Sequence, residues 1–265
     1  MSPAADPERV RIVRDVDLVF VTLDDPNRAN ALSIPIIEGL TEVYRRDWLA
    51  EGVRALVLAG EGRHFSAGAD LEHLGTLLEA GPEENRVDSE RLRNLFSAVL
   101  EQDALTVAAV QGSCVAGGCG LATAHDFVVA AESAQFMYSE VKIGFVAALV
   151  ATFLPLRVSG RDLRELLLKP EFVSSRRALE IGLVNRVVPA ESLLESSRLL
   201  AIEILRNASS SAIALTKKLI RESLGRPLAE ALDEAARVNA EARTTADCRL
   251  GIETFLETKK PPQWR

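Results

Sequence analysis

Short apolar runs and segments of helical spacing alternate along the first part of the chain. Apolar runs at residues 10–13 and 18–23 lie on either side of four mostly polar residues, which predicts a β-hairpin. After Ser33 the apolar positions recur at helical spacing, so this serine is expected to cap a helix. Continuous apolar runs predict further strands at 53–58, 107–110, 127–130 and 135–138.

Other segments, between and after these strands, have helical spacing. Helices are expected at 92–100, 146–158 and 161–168, and a last short strand at 184–188. The polar residues 79–90 are expected to form a mobile loop. From Ala190 to Glu257 almost every segment has helical spacing. We therefore predict two domains, a core over residues 1–195 and a smaller helical domain over residues 196–265.

Two of the predicted strands lead into similar turns of small residues. The strand at 107–110 leads to Ala116-Gly117, and the strand at 53–58 leads to Ala67-Gly68, each expected at the start of a helix. Successive parallel units would place both helix starts side by side at one end of the sheet. Two free backbone N–H groups there could stabilise an enolate or oxyanion. Close packing of small residues is the alternative explanation that the pattern leaves open.

A single carboxylate, Glu140, follows the predicted strand at 135–138 and precedes another apolar run. A carboxylate in such surroundings can carry a proton. An ordinary solvated glutamate would give the same pattern.

Composition excludes several other classes. The formal net charge of -7 argues against binding to nucleic acid or to an anionic membrane. The three cysteines are too few for a disulfide framework, and Cys114 and Cys119 are expected to be buried thiols. The three histidines lack partners at ligand spacing, so no metal is expected. A serine-hydrolase elbow and a dinucleotide-binding loop are also absent from the sequence. Without a signal peptide or an apolar run of membrane-spanning length, a cytoplasmic protein is expected.

Several short motifs, in their order and spacing, resemble the enoyl-CoA hydratase/isomerase (crotonase) superfamily over nearly the whole chain. They are Asn30-Ala31-Leu32, Phe65-Ser66-Ala67-Gly68-Ala69-Asp70-Leu71, Ala116-Gly117-Gly118-Cys119, Asp126, Ala134-Gln135-Phe136, the segment from Ala178 to Pro189, and the tail from Phe255 to Pro261. The resemblance implies an α/β fold, a spiral of repeated ββα units with a C-terminal helical trimerisation region. It also implies a homotrimer or a dimer of trimers.

The resemblance further implies an acyl-CoA thioester substrate and no separate cofactor, since coenzyme A is part of the substrate. By motif position, the backbone N–H groups of Ala67 and Gly117 would hold the thioester carbonyl, and Glu140 would be the acid/base. The CoA moiety would be bound by Arg28, Ala31, Ala69, Asp70, Leu71, Gly118 and, from the C-terminal tail, Phe255 and Lys259. The lysine usual in that tail is replaced by Thr258.

The chain departs from the family pattern at one catalytic position. Hydratases of this family typically use two glutamates, and the first of them falls on Gly120. With Glu140 alone, moving a proton between the α and γ carbons is simpler than adding water. The resemblance therefore leaves open hydration and 3-enoyl to 2-enoyl isomerisation, both through an enolate. The alternative is a catalytically degenerate homologue that binds acyl-CoA or acts as a scaffold.

Overall fold

A computed structural model describes residues 9–264 of the chain. Its centre is a six-stranded sheet, whose strands in spatial order are β1 (Val10–Asp15), β2 (Leu18–Leu23), β3 (Ala55–Gly60), β4 (Leu105–Val110), β6 (Phe127–Ala131) and β9 (Arg186–Val188). The β1–β2 pair is the antiparallel hairpin predicted from the sequence, and the other strands are parallel to their neighbours.

A second, three-stranded sheet contains the shorter strands β5 (Ser113–Val115), β7 (Gln135–Met137) and β8 (Val173–Ser174). Two isolated parallel β-bridges, between Ser66 and Cys114 and between Leu32 and Ala69, continue the pairing next to this sheet. A long strand of the large sheet is thus followed by a short strand of the small sheet and then by a helix, as in β4, β5 and the helix from Gly117. This repetition, together with the helical C-terminal region, is the fold class expected from the sequence.

Eleven helices accompany the sheets over the described residues. They are α1 (Ile34–Arg45), α2 (Leu71–Thr76), α3 (Pro82–Glu101), α4 (Gly117–Ala124), α5 (Val150–Phe153), α6 (Gly160–Leu168), α7 (Ser175–Glu180), α8 (Leu193–Asn207), α9 (Ser210–Ser223), α10 (Leu228–Ala242) and α11 (Ala246–Thr258). The central strand β4 is buried along its whole length, and helices α1, α3 and α8 pack around the core.

The polar segment 79–90 was predicted as a loop, and this prediction is wrong. Helix α3 already begins at Pro82, because Pro82 fits the first turn and the Glu84 carboxylate accepts a hydrogen bond from the Gly81 N–H at 2.8 Å. Arg86 then pairs with Glu83 and Glu90 on the solvent-facing side. The first turns of α3 are stabilised by capping and charge pairs rather than by an apolar face, so hydrophobic periodicity does not reveal them.

The helix predicted over 146–158 is also too long. A regular helix forms only over α5, and a tighter turn follows it at Leu154–Leu156, where Pro155 lacks the N–H that an α-helix would use. Phe145 and Val146, which precede α5, are irregular and exposed.

The C-terminal part of the chain consists of α8 to α11. The predicted boundary at residue 195 lies inside α8, which packs against β3, β4 and β6, and the division into two domains stays a prediction. Helix α9 is tied to the core by Lys217, whose ammonium group lies 2.6 Å from the Asp126 carboxylate and donates to the Ala104 carbonyl at 2.7 Å. None of the helices in residues 9–264 is long and apolar enough to cross a membrane.

His125 lies at the end of α4, where its side chain has a structural role. Its Nε2 lies 2.6 Å from the Tyr44 hydroxyl and its Nδ1 lies 2.8 Å from the Leu121 carbonyl oxygen, so the neutral ring accepts one hydrogen bond and donates the other. Burial lowers the pKa of His125 from 6.5 to about 4. The neutral form is therefore the one that the fold stabilises.

This lowered pKa predicts acid sensitivity between pH 6.5 and pH 4. Above pH 6.5 the His125 contribution is fully present, and it is lost as the pH falls, because the unfolded chain takes up the proton first. Between pH 7.5 and 4.5 the wild-type free energy of unfolding should fall by about 2 to 3 kcal/mol more than that of His125→Gln, whose neutral amide does not titrate. Urea unfolding at the two pH values measures this difference. An equal fall in both proteins would contradict the assignment.

Candidate active site

The two small-residue turns lie directly against each other. A Cβ added to Gly68 would be 2.6 Å from the Val115 carbonyl oxygen, 3.0 Å from the Ala116 Cβ and 3.3 Å from the Gly117 nitrogen. Gly68 also has a φ of +84°, which favours glycine. The parallel pairing of β3 with β4 brings both turns to the same end of the sheet, as predicted. The two turns thus form one site in which backbone groups are close together.

The backbone N–H of Ala67 does not point into this site as a free donor. It donates a hydrogen bond to the Ala29 carbonyl oxygen at 2.8 Å. The prediction that Ala67 supplies an N–H to a substrate oxygen is therefore corrected by the structure. The helix after this turn also begins later than predicted, at Leu71, with the Asp70 carboxylate as its N-cap.

Two other N–H groups of the turns are free. Neither Ala69 nor Gly117 has a hydrogen-bond acceptor for its N–H among residues 9–264. Ala69 pairs with Leu32 in a single parallel bridge in which Leu32 donates to the Gly68 carbonyl, so the Ala69 N–H faces away from Leu32. Gly117 is the first residue of α4, where backbone N–H groups have no partner within the helix. Ala69 and Gly117 therefore each carry a backbone N–H without an acceptor at one of the two turns.

The residue before Gly117 has a rare backbone conformation. Ala116 has φ 48° and ψ -121°, which a residue with a Cβ adopts at a cost of about 1–3 kcal/mol. Its own N–H donates to the Met137 carbonyl at 2.8 Å, which fixes the turn to β7. The turn therefore aims the first N–H groups of α4 with a backbone that is held in place by its surroundings.

Glu140 lies three residues after β7, at the start of a short 3-10 turn that ends at Ile143. It is partly buried, and its Oε2 is inaccessible to solvent without a hydrogen-bond partner among the described residues. Burial raises the pKa of Glu140, while nearby backbone N–H groups offset this in part. A carboxylate with a free oxygen and a raised pKa is suited to accept and return a proton.

Apolar side chains fill the space beside Gly120, where a carboxylate was expected from the family pattern. A Cβ added to Gly120 would be 2.6 Å from the Val150 Cγ2 and 2.8 Å from the Phe96 Cζ. Phe96 packs edge-on against Phe153, with ring centroids 5.6 Å apart, and all three side chains are buried. The sequence identified Gly120 as lacking a carboxylate, but not Phe96 and Val150, which are far apart in the chain and occupy its space.

Arg28 and Asp70, both predicted to contact CoA, bind each other. The Arg28 guanidinium donates to the two Asp70 oxygens at 2.8 and 2.9 Å and to the Glu72 carboxylate at 2.9 Å. Asp70 also accepts from the Glu72 N–H at 3.1 Å. This cluster fixes the start of α2 beside Ala69. Contact of either side chain with CoA stays a prediction.

The other predicted CoA residues fall into two groups. Ala31, Leu71 and Gly118 lie on the segments that surround the turns: Ala31 is buried, Leu71 is exposed, and a Cβ on Gly118 would be 2.8 Å from the Ser66 side chain. Phe255 and Lys259 lie at the exposed end of α11, a helix that packs on α9. Contact of Phe255 or Lys259 with CoA stays a prediction.

Asn30 is a site-building residue to which the sequence assigned no role beyond its place in a motif. Its side chain is fully buried, accepts from the Asp25 N–H at 2.9 Å, and donates to the carbonyls of Glu61 and His64 at 3.0 and 2.8 Å. It thereby joins the loops after β2 and β3, the second of which leads into the Ala67–Ala69 turn. The only signal for it in the sequence is its position next to Ala31-Leu32.

The two cysteines of the glycine-rich segment contact each other in the core. Cys114 and Cys119 are buried, and the Cys119 thiol donates to the Cys114 carbonyl at 2.8 Å. Within residues 9–264, no group of three or more His, Cys, Asp or Glu side chains is placed to hold a metal ion.

The sequence and the fold of this chain are similar to those of known proteins. A model of the family described as "Enoyl-CoA hydratase/isomerase" matches residues 15–265. A Thermus thermophilus protein named "Putative enoyl-CoA hydratase" is 44% identical over 247 residues, which cover 93% of this chain and 97% of that protein. The crystal structure of an enoyl-CoA hydratase from Mycobacterium smegmatis is similar with a TM-score of 0.88 at 30% identity, covering 97% and 98% of the two chains. A structure from Streptomyces coelicolor has a TM-score of 0.90 at 29% identity, covering 100% of this chain and 97% of the other.

Proposed function

Because the chain belongs to the enoyl-CoA hydratase/isomerase family, we propose that it acts on an enoyl-CoA thioester and shifts its double bond from the 3 to the 2 position. Glu140 is the only side-chain acid/base in this proposal. The N–H groups of Ala69 and Gly117 are the donors to the thioester oxygen. Coenzyme A is part of the substrate, and no separate cofactor is proposed.

In this mechanism the Glu140 carboxylate removes a proton from the α carbon of a 3-enoyl thioester. The electrons of the C–H bond move into the conjugated system, and negative charge develops on the thioester oxygen. Two backbone N–H groups that are already fixed stabilise that charge without reorganisation. The protonated Glu140 then returns the same proton to the γ carbon, which leaves a 2-enoyl thioester. The reaction consumes no water and requires no second carboxylate.

The observation that carries this choice is the packing around Gly120. Addition of water is easiest with one group that activates the water and another that handles the α-carbon proton. The space for a side chain at position 120 is occupied by Phe96 and Val150, so the site has an apolar wall where a second carboxylate would be. Hydration is the second candidate function, and it is supported by the names of the related proteins, several of which are called enoyl-CoA hydratases.

Product analysis separates the two reactions. The purified protein is incubated with a 3-enoyl-CoA and, separately, with a 2-enoyl-CoA, and the products are identified by mass and by the absorbance of the conjugated thioester. We expect the 3-enoyl substrate to gain that absorbance at unchanged mass. A product heavier by one water would favour hydration, and binding of both substrates without turnover would favour a degenerate acyl-CoA-binding homologue.

We also propose that the protein is a homotrimer or a dimer of trimers assembled through its C-terminal helices. Helices α10 and α11 carry exposed apolar side chains, including Leu228, Leu232, Leu250 and Ile252, which water would otherwise cover. Such an assembly would also allow Phe255 and Lys259 of one subunit to reach the CoA bound to another.

Light scattering at micromolar concentration tests this assembly. The expected mass is three or six times the chain mass of 28.8 kDa. Leu232→Glu should lower that mass, whereas Glu230→Gln on the same helix should not. A wild-type protein that stays monomeric would rule the assembly out.

A further inference from the structure

A cavity of about 750 Å³ lies between α9 and the core of the fold. None of the residues assigned above to the thioester site lines it. Its wall includes Thr123 on the last turn of α4, and Phe153, which packs on Phe96. This volume is within the range of pockets that bind small molecules, about 300–1,000 Å³.

Most of the cavity wall is aliphatic or aromatic. The core contributes Leu100, Leu105, Phe127 and Phe153, and α9 contributes Ile213 and Ile220. Ile220 is more than half exposed and Phe153 is buried, so the cavity extends from the surface inwards. Such a wall favours an alkyl chain, since apolar area removed from water stabilises the bound state.

The charged side chains in the cavity wall are unbalanced. They are three cations, Arg157, Lys217 and Arg221, and one carboxylate, Asp126. Asp126 is paired with Lys217, since its Oδ2 lies 2.6 Å from the Lys217 ammonium group and also accepts from the N–H and hydroxyl of Thr106 at 2.8 and 3.0 Å. One carboxylate thus faces three cations, which leaves an excess of positive charge in the cavity wall.

Neither arginine has a carboxylate within 4.0 Å among residues 9–264. The Arg221 guanidinium donates to the Leu100 carbonyl at 3.1 Å, and the Arg157 guanidinium makes only a long contact of 3.5 Å to the Asp126 carbonyl. Burial lowers the pKa of Arg157, and the nearby charge of Asp126 offsets this in part. A guanidinium offers five N–H donors, most of which are unused here.

We propose that this cavity is a second ligand site, which binds an aliphatic carboxylate with its alkyl chain along α9 and its carboxylate on Arg157 and Arg221. An apolar cavity with an excess of positive charge matches that chemistry, because charge-assisted hydrogen bonds to a guanidinium orient a carboxylate while the chain fills the apolar part. The inference does not depend on the reaction at Glu140, since the two sets of residues do not overlap.

Isothermal titration of the full-length protein with decanoate at pH 8 tests the proposal. We expect one binding site per chain, with decanol of the same chain length bound at least about tenfold more weakly, because it cannot form charge-assisted hydrogen bonds. A saturating CoA thioester should leave decanoate binding unchanged. Equal affinity for decanol, displacement by the CoA thioester, or absence of binding, as when a second copy of the chain covers the cavity, would each overturn the proposal.

Matched variants locate the ligand. Arg157→Leu and Arg221→Leu should each weaken decanoate binding about tenfold while leaving decanol affinity unchanged, and the corresponding lysine variants should retain part of the affinity. Arg161→Leu, an exposed arginine outside the cavity, is the control. Should an arginine variant fail to fold, Ala212→Trp still tests the site, since it places a large side chain in the cavity from an exposed position on α9. Undiminished binding by Ala212→Trp would place decanoate elsewhere and overturn the proposal.

Discussion

Glu140→Gln should lower turnover by about 10²–10⁴-fold and leave the affinity for the CoA thioester nearly unchanged. A positioned general base contributes about that factor, and the amide of glutamine cannot accept the α-carbon proton. Binding should persist because the thioester oxygen is held by backbone N–H groups that the substitution leaves in place. Steady-state rates together with titration of a non-reacting acyl-CoA separate the two effects.

A control variant and the pH dependence of the rate test whether the effect is specific to Glu140. Glu132→Gln removes an exposed carboxylate from the turn after β6 and should keep the wild-type rate. In the wild type, the rate should decline with falling pH at a higher pH than an ordinary glutamate would give, because burial raises the pKa of Glu140. If Glu140→Gln keeps near-full activity, another group carries the proton, and the proposed mechanism is wrong.

Gly68→Ala should lower both stability and turnover. The added methyl group would lie 2.6 Å from the Val115 carbonyl oxygen, so the two turns must move apart. We expect a loss of about 2–4 kcal/mol in the free energy of unfolding, from backbone strain at positive φ and from the overlap. Because the turns hold the N–H groups of Ala69 and Gly117, a displacement of about 1 Å should cost about 10²-fold in turnover.

Gly225→Ala is the matched control for this substitution. Gly225 has a similar φ of +74°, but no atom lies within 4 Å of the position that a Cβ would take. The free energy of unfolding of Gly225→Ala should therefore fall only by the backbone strain, about 1 kcal/mol, and its turnover should be unchanged. If the two alanine variants lose equal stability and activity, the close approach of the two turns is unimportant. Chemical denaturation and steady-state kinetics give both quantities.

Local sequence patterns predicted most of the sheet. Strand β2 has the predicted bounds, and β6 differs by one residue, because buried strands are continuous apolar runs. The start of α3 was missed because capping and surface charge pairs stabilise it, and neither contributes to hydrophobic periodicity. The two turns were found because small residues after a strand are visible in the sequence itself.

The functional detail of the site depends on contacts that the sequence does not contain. Both Ala67 and Ala69 flank Gly68, and only the hydrogen bond from Ala67 to Ala29, 38 residues earlier, distinguishes the engaged N–H from the free one. In the same way, Gly120 reads as a missing carboxylate, while its consequence depends on Phe96 and Val150. Long-range packing, and not residue type, decides both cases.

The packing of Phe96 and Val150 over Gly120 also determines the order in which this site can change. A glutamate introduced at position 120 first would meet both side chains, at 2.8 and 2.6 Å from its Cβ, and would be buried with its charge against apolar groups. Smaller residues at 96 and 150 first would leave a cavity next to the aromatic ring of Phe153 and destabilise the core. Each single step towards a two-carboxylate site thus passes through a less stable protein. The one-carboxylate state is a local optimum, which directed evolution by single substitutions would leave only from a more stable starting sequence.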